Sequence, residues 1–426
     1  MKSTYKQQII IVGAGPAGLM AAFSAAQAGA SVLILEKMKR PGLKLLASGG
    51  GRCNLTNVLP QQEFMKAFGR NGRFMRDALN SFSRDDLLEW MRAQKVDVDC
   101  VDGFYYFPAA ARSSVVLEAM VQVCQENGVK FRLGEKVEKL VATKEAIQGV
   151  QVAGGKVIYG KAVILACGGK SYSKLGGSSI GYQLAEQAGH KIIMPVPGMV
   201  GLKTIERWPS CCTGISLDKV RISIDIKKYR KQYFEGALVF TQDGISGPAV
   251  VDISANVNEL LLEEESVPVN VSFFPEKKED EISGMLKKLL EENPRKKLSN
   301  IISLIFPAAL AAALCDYAGD LAGVTGAGGI KAAGLPGKVF KSLNNILLSC
   351  PLWVNANQGF EKAMVTRGGA DLKGIYPKTM ESRLKQHLYF AGEVVNLDGP
   401  CGGYNLQWAF SSGYLAGQSA ALEASQ

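Results

Sequence analysis

Histidine is nearly missing from this sequence: only His190 and His387 occur, and each is isolated. Two separated imidazoles supply neither a metal-ligand spacing nor a Ser–His–acid triad, so no metal site and no serine-type hydrolysis is expected. CxxC pairs are absent as well. Of nine cysteines only Cys211 and Cys212 are adjacent, an odd and scattered set that fits reduced thiols in the cytoplasm. The opening MKSTYKQQ leads directly into an apolar strand and leaves no room for a signal peptide. Ile301 to Cys315 is apolar but contains Pro307 and is too short to cross a bilayer, so no membrane partner is expected. No repeat with a period of roughly 20–50 residues is visible.

What is present is ordinary globular composition, 47% hydrophobic and 21% charged, over 426 residues, long enough for two or three domains. The formal charge of +10 suits nucleic acid, an anionic substrate or simply a basic surface. Glycine carries the more specific information. Ile9 to Val12 reads as a strand buried on both faces, and Gly13-Ala14-Gly15-Pro16-Ala17-Gly18 follows at once, before an Ala-rich helix. The first glycine permits a tight turn, the second lets backbone approach a pyrophosphate, and the third packs helix on strand. A second strand ends in Glu36, at the spacing of a carboxylate that grips a ribose hydroxyl. Strand, turn, helix, strand and acid together predict a dinucleotide site.

Two later segments repeat this style. Lys161 to Leu165 is a buried strand that runs into Ala166-Cys167-Gly168-Gly169. Leu388 to Ala391 ends in Gly392-Glu393, followed by Gly399-Pro400-Cys401-Gly402-Gly403-Tyr404-Asn405 and a small-residue helix. The C-terminus should therefore complete the N-terminal domain. Between them, alternation at Val220–Ile226, Ala237–Thr241 and Val267–Phe273 predicts antiparallel sheet or barrel, and Glu279 to Leu314 is helical. The expected division is 1–190 and 366–426 for the nucleotide-binding domain, with a barrel over 191–278, a helical subdomain over 279–345 and a return strand over 346–365.

The combined pattern resembles flavoproteins of the glutathione-reductase class. More narrowly, SGGGRCNLTN at 48–57, FTQDGISGPAV at 240–250 and TMESRLKQHLYFAGEVVNLDGPCGGYNLQWAFSSG at 379–413 resemble the BaiN/RdsA (YhiN-like) family of FAD-dependent oxidoreductases. Gln242 stands where a histidine is common in that family, and Arg367-Gly368-Gly369-Ala370 where Gly-Gly-Val is usual. The resemblance implies an α/β Rossmann-like FAD domain with an inserted β-barrel and helical subdomain. It implies FAD contacts from Gly13, Gly15, Ala17, Gly18, Glu36, Lys37, Lys44, Ser48, Gly49, Arg52, Asn57, Val137, Ala166, Gly168, Glu393, Gly403, Tyr404 and Asn405. No second GxGxxG follows a strand, so NAD(P)H, if it is the reductant, visits transiently.

Activities in the family diverge among reduction of a ribosomal RNA uridine, bile-acid dehydroxylation and amine oxidation. Hydride delivery to a C=C bond needs a proton donor on the opposite side, and Cys53, Cys401 and Tyr404 are the candidates. The charge leaves two partners open. Ribosomal RNA would meet basic clusters of the insertion at Lys227-Lys228 with Arg230-Lys231, Lys287-Lys288 and Arg295-Lys296-Lys297. A small-molecule substrate would leave those clusters as a solvated face.

Overall fold

The computed structural model describes residues 7–229 and 231–425. The chain forms two compact units, one made of the residues up to Val196 and from Met364 onward, the other of Pro197–Ala363.

The first unit is built on a parallel sheet. β1 (Gln7–Val12) runs into a glycine turn and α1 (Pro16–Gln27), then β2 (Val32–Glu36). β3 (Lys130–Leu133) pairs with the outer edge of β2, and β4 (Val157–Leu165) with the other side of β1, all parallel. Ile9, Ile10 and Ile11 are wholly buried because β1 has a strand on each flank and helices over its faces. β5 (Leu388–Phe390) joins β4 in parallel, which returns the C-terminal segment to the sheet. α2 (Tyr404–Ala424) then crosses α1 at close range. Side-chain carbon at Gly413 or Gly417 would sit 2.2 Å and 2.1 Å from the carbonyl oxygens of Ala17 and Ala21, so only glycine admits this crossing. Among the described residues no helix is long and apolar enough to cross a membrane.

The second unit holds a closed six-stranded antiparallel barrel, in the order Leu202–Thr204, Gly244–Ser246, Tyr233–Thr241, Ser216–Ile224, Val267–Ser272 and Cys350–Asn357. The alternation seen in sequence is the inside–outside period of these strands, as in Val267–Ser272, whose residues alternate between buried and half-buried. Helices Glu279–Glu292, Leu298–Ile302, Ala308–Leu321 and Gly337–Leu348 belong to the same unit, broken near Pro294 and Pro307 where a backbone donor is lost. The overall class is the expected one, a Rossmann-like α/β domain interrupted by a barrel with helices.

His190 lies in the first unit, 4% exposed, sharing a 2.7 Å hydrogen bond with Ser382 Oγ and packed edge-on against Phe390. Burial pushes its pKa down to about 4. The unfolded chain takes up a proton below about pH 6.5, the folded chain only below about 4, so stability is full above the first value and falls across that window. We expect a loss of about 2–3 kcal/mol from this site between neutral pH and pH 4. His190→Gln should remove that part of the pH dependence in urea titrations. An identical pH profile in the variant would show that His190 is not its source.

Candidate functional site

The glycine turn after β1 is sterically determined. Gly13 has φ +108°, and a side-chain carbon there would lie 2.4 Å from the Ala166 carbonyl oxygen; one at Gly18 would lie 2.0 Å from that of Gly13. Gly15 has nothing within 4 Å and presents open backbone. α1 starts at this point with no side-chain cap and no acidic residue in its first turn. Its first N–H groups and the positive end of its dipole are thus left for an anion.

Glu36 closes the other side of the turn. Its Oε2 accepts from Ala14 N and its Oε1 from Met38 N, each at 2.8 Å. Each carboxylate oxygen keeps a lone pair for a further donor. Lys37 follows, its pKa lowered by burial and partly restored by Glu36. These residues line a cleft with Val137, Cys167 and Ser178. The Ser178 hydroxyl is buried there without a hydrogen-bond partner. An orphaned hydroxyl, an uncapped helix and a carboxylate with spare lone pairs fit the ribose and pyrophosphate of a dinucleotide.

A second group gathers at the ends of β4 and β5. Lys44 Nζ donates to Glu393 Oε2 at 2.6 Å and to Ser171 Oγ at 2.9 Å. Glu393 also accepts from Thr366 N at 2.6 Å, Gly169 N at 3.2 Å and Ser171 Oγ at 3.3 Å. Thr366 Oγ1 in turn accepts from the Lys170 and Ser171 backbone N–H groups. Gly168, at φ +67°, lies beside this carboxylate. Two residues expected from sequence, Lys44 and Glu393, therefore bind each other, while Ser171, Thr366 and Ser178 were not foreseen.

A third group surrounds the start of α2. Asn57 is fully buried and its Nδ2 donates to the Gly402 carbonyl at 2.8 Å. Asn405 ties the same loop through the Gly399 N–H and carbonyl. Gly403, at φ +80°, is pressed against Thr56, and α2 begins there without a side-chain cap. Tyr404 is packed on Phe64, with ring centroids 4.8 Å apart. Ser48 Oγ caps back to the Leu45 carbonyl, Gly49 has φ +56°, and exposed Arg52 lies over the Phe107 ring.

The three proton-donor candidates separate. Cys401 is exposed in the Gly399–Gly403 loop, and Tyr404 is 7% exposed at its end. Cys53 is fully buried at φ +66°, and burial pushes its thiol up to about 12. With its thiol fully buried it is the least accessible of the three candidates, and we expect a packing role for it. Cys53→Ser is expected to lower stability by about 1 kcal/mol and to leave turnover within about threefold. A hundredfold fall in turnover at full flavin occupancy would return Cys53 to the chemistry.

The charge is distributed differently from the sequence-based expectation. Lys227, Lys228, Lys231, Lys287, Lys288, Arg295, Lys296 and Lys297 are all exposed; Arg230 lies outside the described residues. Yet Pro197–Ala363 holds nineteen Lys and Arg against nineteen Asp and Glu, so the whole surplus of ten belongs to the other unit. His387 is not isolated either: Glu381 and Glu423 approach it, with ligand atoms within 4.8 Å of one another. A cavity of about 330 Å³ beside His387 and Glu423 lies along Gly160–Ala162, toward the amino-terminal end of β1 and away from the glycine turn.

Comparisons with known proteins agree with this architecture. The profile of the HI0933-like protein Rossmann domain matches residues 7–419. The chain is 32% identical over 420 residues to 3-dehydro-bile acid delta(4,6)-reductase of Clostridium scindens, covering 97% of this chain and 99% of that protein. It is 29% identical over 422 residues to ribosomal RNA dihydrouridine synthase of Escherichia coli K12, covering 96% of each. Its fold is similar to that of a flavocytochrome c3 fumarate reductase, with TM-score 0.52 and 17% identity over all of this chain and 80% of that one. The chain belongs to the HI0933-like family and has the Rossmann fold of the FAD-dependent oxidoreductases.

Proposed function

We propose that this oxidoreductase binds FAD along the three groups and reduces the C5=C6 bond of a uracil base in ribosomal RNA, giving dihydrouridine. FAD supplies hydride chemistry when bound. The α1 N-terminus and the glycine turn hold its pyrophosphate, Glu36 takes the ribose hydroxyls, and the Lys44–Glu393 pair and the uncapped start of α2 position the remainder. The reduced bond is conjugated to a carbonyl, so hydride adds to the β-carbon and a proton to the α-carbon. Cys401 and Tyr404 are the groups of this chain that remain to donate that proton. NAD(P)H serves as a transient reductant in the cytoplasm.

The observation that carries the RNA reading is the charge, a surplus of ten positive charges confined to the unit that holds the glycine turn. A second reading has its own support. The relative at 32% identity is named as a reductase of an unsaturated bile acid, and an enone presents the same conjugated acceptor. Anaerobic reoxidation separates the two. Pre-reduced protein mixed with unmodified ribosomal RNA should regain its oxidised flavin spectrum far faster than with a 3-oxo-4-ene steroid. The reverse order of rates would replace the RNA reading with the small-molecule one.

A further inference from the structure

We infer that a single-stranded stretch of RNA lies across the first unit past both ends of the Gly399–Gly403 loop. Its phosphates meet Lys66, Arg70, Arg73 and Arg76, and its bases meet Phe104 and Tyr105. This rests on the RNA-reductase reading above and names the surface that would present the base.

The cationic flank follows from local geometry. Gly69–Met75 is a 3-10 helix that continues as an α-helix from Arg76. Residues three apart eclipse in a 3-10 helix, so Arg70 and Arg73 project from one side, about 6 Å apart along the axis. Arg76 follows after the same interval. All three are exposed, and no carboxylate pairs with Arg70 or Arg73 among the described residues. Arg76 meets Asp77 only at 3.5 Å, and Lys66 meets Glu63 in an exposed pair of the kind worth little. Four cations on one short segment repel one another, and among the described residues only two acidic partners, Glu63 and Asp77, offset them.

The segment is fastened to the candidate site. Phe64 packs against Tyr404 with the rings tilted by 35°, Phe68 meets the same ring edge-on at 6.0 Å, and a side-chain carbon at Gly399 would lie 2.7 Å from Phe68. At the loop's other end a carbon at Gly402 would lie 3.4 Å from Tyr105. Phe104, Tyr105 and Tyr106 are each only half-buried, with Phe104 and Tyr105 edge-to-face at 4.8 Å. A cation row at one end of the loop and partly open aromatic rings at the other is the makeup of single-strand binding surfaces. A lipid surface could also use cations and rings together, and the vesicle arm of the test separates it from RNA.

The test uses full-length, flavin-loaded protein and a fluorescein-labelled oligouridylate of about ten nucleotides, followed by anisotropy across a KCl series. The combined Arg70→Gln, Arg73→Gln and Arg76→Gln variant should bind about a hundredfold more weakly near 0.1 M salt, with the log–log salt slope reduced by about 2. Tyr105→Ala should weaken binding about tenfold and leave the slope unchanged. Arg295→Gln with Lys296→Gln and Lys297→Gln should do neither. Flavin absorbance and the urea midpoint report that each variant is folded. An unchanged slope in the first variant, transfer of its effect to the insertion variant, or binding of phosphatidylglycerol vesicles in place of the oligonucleotide would each overturn the proposal. Dihydrouridine restored to a deletion strain equally by wild type and by the first variant, with RNA binding intact, would remove this surface and leave the reaction standing. Loss of RNA binding in that variant, when wild type restores no dihydrouridine, would support the surface and remove the reaction.

Discussion

Glu36→Ala should purify with little or no FAD. In the proposed site the carboxylate would accept from ribose hydroxyls, and a hydrogen bond to a charged acceptor contributes roughly 1.5–3 kcal/mol, or about 10- to 150-fold in affinity. The substitution also leaves the Ala14 and Met38 N–H groups without their acceptor, which should loosen the glycine turn. Flavin content on release by denaturation, together with titration of the stripped protein with FAD, measures both effects. Unchanged occupancy and affinity would show that Glu36 serves the turn alone.

Glu393→Ala should be the more damaging change to the fold. It deprives Lys44 Nζ, Thr366 N, Gly169 N and Ser171 Oγ of a shared acceptor. The pair is about one-quarter exposed, so the expected loss of about 2–3 kcal/mol lies below that for breaking a fully buried pair. Adding Lys44→Met should cost less than the sum of the two single changes, because the orphaned ammonium is then gone. Urea midpoints of the four proteins give the coupling directly. Strict additivity would mean that the two charges do not stabilise each other.

Much of the nucleotide site could be read in sequence because its code is local. The glycine turn, the helix behind it and Glu36 lie within about one βαβ unit, where spacing alone determines what meets what. The apolar strands ending in Gly168 and Glu393 were legible for the same reason, and the barrel showed itself through the period-two pattern of its strands. What was hidden depends on contacts between distant segments. Ser171 and Thr366 meet across 195 positions, and neither sits in a recognisable motif. Cys53 stands in a glycine-rich run whose sequence suits a loop held close to a ligand, and nothing in that run tells that the thiol itself is buried. The basic clusters of the insertion were conspicuous in sequence because they are runs. Its acidic residues, such as Glu263–Glu265 and Glu279–Glu281, offset them only when the unit's boundaries are known.

Arg70, Arg73 and Arg76 illustrate the same limit from the other side. In sequence they are three arginines in a stretch of helical period, which does not by itself give them a common side. The 3-10 geometry aligns Arg70 with Arg73, and Phe64 and Phe68 bring the row up to the loop that opens α2.

The central claim is reduction of a ribosomal RNA uridine, and nucleoside mass spectrometry of ribosomal RNA from a deletion strain and its parent tests it most directly. Dihydrouridine present in the parent should be missing from the deletion strain and return with the wild-type gene but not with one encoding Glu36→Ala. Equal dihydrouridine in both strains, together with flavin-dependent reduction of a small enone by the purified protein, would contradict it.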